Sequence, residues 1–173
     1  MWSDDDMRAF LAAVQGAGVP VDTVLPVYAA ESGLDPAASS GIAWGLAQFT
    51  EPTLRGFGWR NGGPAFGGLT VAQQAPYIGR LLKTQVTTLG RVPTDSVDLY
   101  AVNFWPESAK RGDQIILMRD SRVAKERAAY AGNRNLDKAR KGWIDRDDLK
   151  AALERAPKSV LEHARAQARR LAA

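Results

Sequence analysis

The chain has 173 residues, 45% of them hydrophobic, and a formal net charge of +4. That is enough for one substantial core and short for two, with the apolar share of an ordinary globular protein. With no cysteine, one histidine (His163) and no run of eighteen apolar residues, it excludes disulfides and thiolate metal sites, argues against a His-based triad or metal centre, and predicts no transmembrane helix.

The start, Met1-Trp2-Ser3-Asp4-Asp5-Asp6, is acidic and lacks the basic start and apolar core of a signal peptide. Either a leader is removed, then, or the protein reaches its site by another route. Residues 4–16 read as an amphipathic helix ending at Gly16 or Gly18. A second helix is expected over about 22–32, because Val24, Val27, Tyr28 and Glu31 fall at i, i+3, i+4 and i+7. Asp22 or Thr23 is placed to cap it, Pro26 is tolerable only in its first turn, Gly33 suits a left-handed stop and Pro36 forbids continuation. Glu31 then ends an otherwise apolar face. There the helix dipole and partial burial both favour the protonated carboxyl, the form a general acid needs. The plain alternative is a surface carboxylate at a helix end.

Downstream, Gly41 and Gly45 allow positive φ or close approach by another group. Gln48 offers a donor and an acceptor, which suits sugar hydroxyls and acetamido groups. Trp44 either packs in the core or stacks on a sugar ring. Residues 56–68 hold six glycines and read as a loop with short extended pieces, one wall of a groove. Trp59 in it either stacks on sugar or packs the loop onto the core. Thr70-Val-Ala-Gln73 resembles a capping box opening a helix to about Thr88. Further helices are expected over Asp95–Phe104, Ser108–Met118 and Ser121–Ala131, the last stopped by Gly132. Phe104 and Trp105 either offer an aromatic platform or close the core.

Residues 137–148 have the outline of a calcium loop, with Asp137, Gly142, Ile144, Asp145 and Asp148 at positions 1, 6, 8, 9 and 12. Ala139 and Lys141 stand where oxygen ligands belong, so a structural loop is expected, with Asp145 capping the next helix. The remainder is helical, interrupted by Pro157. Its end is a basic amphipathic segment able to touch a membrane surface or partner, although its lack of large apolar residues favours packing on its own domain. Residues 1–106 hold 6 Lys/Arg and 9 Asp/Glu, whereas 107–173 hold 17 and 10. The basic half suits an anionic polymer, but its positives are interleaved with acids, which argues against a dedicated nucleic-acid surface.

The run Glu31-Ser32-Gly33-Leu34-Asp35-Pro36, then Ser40-Gly41-x-Ala43-x-Gly45-Leu46-x-Gln48-Phe49, resembles the signature of soluble lytic transglycosylases and goose-type lysozymes. That pattern is Glu-Ser-Gly-aromatic-Asn-Pro followed by Gly-Ala-x-Gly-Leu-Met-Gln-Ile. Leu34 and Ala47 depart from it. The resemblance implies a lysozyme-like, mainly α (α+β) single domain over 1–173: a catalytic core (1–106) with a glycan groove and a glycine-rich loop or small hairpin, and a basic helical part (107–173) packed on it. It implies that Glu31 is the catalytic acid/base, that Ser32 helps position it, and that Gly45 and Gln48 lie in the groove. The family's third motif, Ala-Tyr-Asn-Ala-Gly, has its counterpart around Asn103. Val102 falls at the Tyr position, and Tyr100 lies about 200° away around a helix. The implied activity is cleavage of the β-1,4 bond between N-acetylmuramic acid and N-acetylglucosamine at the bacterial cell wall, without cofactor, in a monomer, in a setting such as a bacteriophage lysin. Transglycosylation needs one carboxylate, whereas lysozyme-type hydrolysis needs a base, for which Asp35, Glu51 and Asp98 are candidates. A non-catalytic glycan-binding or virion structural protein is the reading from another class.

Overall fold

The hydrophobic pattern at the N-terminus produces a helix whose apolar face becomes the centre of the molecule. In a computed structural model describing residues 2–172, α1 (Asp4–Gly16) buries Met7, Phe10 and Val14 and opens with a capping box between Ser3 and Asp6. It packs along α5 (Val71–Leu89), where Gly79 brings the backbones together: a Cβ there would lie 3.4 Å from the Ala13 carbonyl oxygen. α5 opens with the expected Thr70–Gln73 capping box. α2 (Val21–Ser32) packs on α1 and on helices from later in the chain, and is ended as expected by Gly33 at φ 65°. Phe10, Leu25, Tyr28, Phe66 and Ile78 are essentially sealed from water. Each such side chain contributes roughly 1.5–3 kcal/mol.

The start of α2 differs from expectation. Pro20 is its N-cap, neither Asp22 nor Thr23 caps it, and Pro26 lies inside the helix rather than in its first turn. Proline at 26 removes the N–H that would bond the Asp22 carbonyl. That carbonyl instead faces the Ser96 hydroxyl at 3.5 Å, on the helix packed alongside.

The segment after α2 folds into a two-stranded antiparallel sheet, β1 (Ala43–Trp44) with β2 (Phe49–Thr50), and then α3 (Glu51–Gly56). Residues 56–68 carry no strand and contain a short helix, α4 (Gly63–Gly67). α6 (Ser96–Phe104) starts on Asp95 as expected and packs on α2.

The next region corrects the expected helix over 108–118. α7 (Pro106–Arg111) stops at Gly112, φ 73°, and β3 (Ile115–Met118) follows. Adjacent β-branched residues, Ile115 and Ile116, fit a strand better than a helix. β3 pairs antiparallel with β4 (Trp143–Asp145), a sheet that sequence periodicity did not indicate. α8 spans Ala124–Asn133, beginning later than expected and running through Gly132. Asp145 caps α9 (Arg146–Glu154) with a capping box to Asp148, as expected. In the calcium-like outline, Lys141 Nζ sits 2.6 Å from Asp145 and 2.9 Å from Asp148, so an internal ammonium bridges the two carboxylates. α10 (Lys158–Ala172) packs on α1 and α2 through Ala164, Gln167 and Ala168, the own-domain packing expected of it.

The protein is thus mainly helical, and α9 and α10 pack onto α6, α1 and α2, joining both halves of the chain in one compact domain. Among the described residues no single helix is long and apolar enough to cross a membrane.

Candidate functional site

Glu31 lies in the last turn of α2, one turn beyond Tyr28, and lines a groove of about 330 Å³. The rest of the wall comes from Gln48 just before β2, Thr53 of α3, α5 (Thr84, Gln85, Thr88) and the end of α6 (Val102, Asn103). Glu31 is the only carboxylate among the lining residues. Burial pushes it up to about 7. Two phenols flank it. Tyr28 and Tyr100 are both raised above their usual range, first by burial and then by the charge of Glu31. The Tyr28 hydroxyl is buried and has no hydrogen-bond partner among the described residues.

The other expected residues divide. Asn103 reaches the groove, where its Oδ1 accepts from Gln85 Nε2 at 2.5 Å. Tyr100 does not line the groove: it is buried, packed edge-on against Phe104, and the largely buried Val102 contributes to the groove wall instead. Gln48 lies in the groove, but its amide donates to the carbonyls of Ala38 (3.2 Å) and Gly45 (3.0 Å). It pins the preceding turn and keeps only its acceptor oxygen for a ligand, not the donor-and-acceptor pair expected of it. Ser32 makes no hydrogen bond to Glu31. Its hydroxyl faces the carbonyls of Tyr28 (2.9 Å) and Leu46 (2.8 Å), so it ties the end of α2 to the turn after β1.

Gly45 and Trp59 are corrections. Gly45 is buried at φ 78°, and a Cβ there would lie 2.6 Å from Gln74 Oε1 and 2.9 Å from Phe66. The close approach it permits is by its own core, not by a ligand in the groove. Trp59 packs edge-on against Phe66 (5.6 Å) and Tyr77 (6.0 Å) and donates its indole N–H to the Gly62 carbonyl. Of its two readings, core packing holds. The 56–68 loop is absent from the groove wall, and Trp44 lies against Gly63, where a Cβ would fall 2.0 Å from the indole.

The candidate second acids are committed elsewhere. Asp98 is fully buried between Arg91 and Arg146 and accepts from Thr94 N–H. Glu51 accepts from Gly63 N–H and pairs with Arg55. Asp35 accepts from Ala37 N–H.

Two glutamines on the buried stripe of α5 carry roles the sequence reading did not assign. Gln74 is completely buried; its Oε1 accepts from Leu46 N–H, and its amide donates to the carbonyls of Pro36 and Leu69. It clamps both ends of the turn that follows Glu31. Gln85 lines the groove, and its Oε1 is a buried acceptor with no hydrogen-bond partner among the described residues. Their signal was available: polar residues falling on an otherwise apolar helical stripe.

A second cavity, about 760 Å³, is lined by the turn after Gly33 and by α10. Its carboxylates, Asp6 and Asp35, accept from the backbone N–H groups of Ala72 and Ala37. Its chemistry is weaker than that of the smaller groove. Comparison of the chain with protein families, curated proteins and solved structures found no match.

Proposed function

We propose that the protein is a lysozyme-like peptidoglycan lytic transglycosylase, with Glu31 as its single acid/base. The observation that carries this reading is a lone carboxylate, held near pKa 7 by burial, in a groove with no second acid. The resemblance around Glu31 and Gln48 supports the substrate class. With its carboxyl pushed up to about 7, Glu31 can hold a proton near neutral pH. It donates this proton to the oxygen between N-acetylmuramic acid and N-acetylglucosamine as the C1–O bond breaks. The carboxylate then takes the proton from the muramic acid C6 hydroxyl, whose oxygen closes on C1 to give a 1,6-anhydro end. The substrate's acetamido group assists at C1, so no second carboxylate is needed. The acceptors Gln48 Oε1 and Gln85 Oε1 suit sugar hydroxyls, and Asn103 offers its amide NH2. Thr84 and Thr88 line the same wall.

Hydrolysis is less well served, because no group in the groove is placed to hold a water as base. Digestion of purified peptidoglycan with wild type and Glu31→Gln, read by mass spectrometry, tests the reading. Anhydro-muropeptides from wild type, reduced about 10²-fold or more in the variant, are expected. Reducing ends instead would mean hydrolysis. No product from walls of several chemotypes would favour a protein that only binds glycan, a reading that Val102 at the family's Tyr position supports.

A further inference from the structure

The outward face of the β3–β4 ribbon carries three large apolar side chains, bordered by the Lys141–Asp145 ion pair, which meets the Trp143 indole at its ring and N–H. Met118 and Trp143 are opposite each other in the register, and Ile115 lies outward beyond the irregularity that follows it. Ile115, Met118 and Trp143 are 38%, 42% and 38% exposed, and Val123 is 50% exposed. The interior is already served by Ile116, Leu117 and Ile144, all completely buried. Large apolar side chains gathered in water on one face mark a contact surface.

Beside this face lies a basic pocket of about 640 Å³ walled by Arg119, Arg134, Lys138 and Arg140. Arg119 follows Met118 in the chain, and its guanidinium lies against Gly142, which precedes Trp143. Pocket and apolar face are therefore contiguous. Arg119 pairs with the exposed Asp120, whereas Arg134, Lys138 and Arg140 have no ion pair among the described residues. The single carboxylate in the wall, Asp137, is spent. It accepts from the Tyr130 hydroxyl at 2.7 Å and from the N–H groups of Lys141 (2.9 Å) and Gly142 (2.8 Å), which fixes the loop bearing the cations.

We propose that this surface docks the protein on a membrane containing anionic phospholipid. The headgroup phosphate enters the pocket, and Trp143, Met118 and Ile115 enter the interfacial layer. Guanidinium groups match phosphate oxygens in a fork, and tryptophan with aliphatic neighbours belongs at the headgroup boundary. Nucleic acid fits less well. The only aromatic in the pocket wall, Tyr130, is buried with its hydroxyl on Asp137, and the one exposed ring nearby, Trp143, sits among aliphatic side chains rather than in a run of stacking rings. The docking surface shares no residue with the Glu31 groove and does not depend on the proposed reaction.

The test is co-sedimentation with vesicles of equal parts phosphatidylglycerol and phosphatidylcholine, and of phosphatidylcholine alone. Wild type binds the mixed vesicles only. Arg134→Ala/Lys138→Ala/Arg140→Ala and Met118→Ser/Trp143→Ser each weaken binding by about tenfold or more. Arg8→Ala/Arg60→Ala/Lys83→Ala, which removes the same charge elsewhere, retains it. Arg134→Glu alone, at an exposed helix end, weakens binding in the same direction and guards against misfolding of the triple variant. Glu31→Gln binds as wild type. Absence of wild-type binding at low salt, or an equal loss in the control variant, overturns the proposal. So does binding of soluble poly(glycerol phosphate) or single-stranded DNA that needs the pocket cations while vesicle binding ignores Met118 and Trp143.

Discussion

Glu31 couples the proposed chemistry to stability. Its carboxyl ionises at about 7 in the folded protein and near the ordinary glutamate value of 4.5 when unfolded. A raised acid favours folding while protonated. Its benign state is therefore complete below about pH 4.5, and the cost of burying its charge grows as pH rises through about 7. The shift corresponds to about 3 kcal/mol. Glu31→Gln, a neutral isostere, should match wild type in denaturant stability at pH 4 and exceed it by up to that amount at pH 8. Equal stability at both pH values would mean that Glu31 is well hydrated. The same proton governs the proposed reaction, so kcat/KM should fall as pH rises past about 7.

At the level of elements, the turn after α2 is held by α5 rather than by its own residues. Gln74 satisfies Leu46 N–H and two carbonyls in a dry site, so Gln74→Leu leaves three backbone groups without partners. A loss of about 2–4 kcal/mol in urea unfolding is expected, together with a fall in product formation although Gln74 lies outside the groove wall. The start of α6 has a comparable device. Burial alone would raise Asp98, but hydrogen bonds from Arg91, Thr94 and Arg146 outweigh it and hold its carboxyl below the usual range. A lowered acid adds stability above its unfolded pKa of about 3.8 and loses it as pH falls through the folded value. Asp98→Asn should therefore destabilise more at pH 7 than at an acid pH well below 3.8, measured by thermal melts. An equal loss at both pH values would leave the ion pairs without a role.

Over the whole molecule, the N- and C-terminal helices are fastened together. Gln167 donates to Asp4 and to the Trp2 carbonyl, and Arg170 pairs with Asp4. Arg146, from the second half, reaches the buried Asp98 of the first. The two halves share one core despite their opposite charge balance. Calorimetry should accordingly give one transition whose calorimetric and van't Hoff enthalpies agree. Two separable transitions would mean that 107–173 folds on its own.

Periodicity and caps in the sequence determined most helices: α1, α2, α5, α6, α9 and α10 start and stop close to where Ser3, Gly33, Thr70, Asp95, Asp145 and Pro157 direct, because these signals act within one turn of chain. Glu31 was legible as a carboxylate ending an apolar helix face for the same reason, but the choice between burial and surface was left to the tertiary structure. Contacts between distant residues were not legible. Ile115 and Ile116 become a strand only because Trp143–Asp145 lies opposite. Gly45 admits Gln74 and Phe66 rather than a ligand, and Pro26 is tolerated inside α2 because Ser96 faces the carbonyl it frees. Whether Trp59 and Tyr100 faced a ligand or a core depended on which surfaces were left over after packing. Local sequence set where the chain turns and which faces are apolar, whereas only the tertiary structure decided which of those faces met one another and which were left to line the groove.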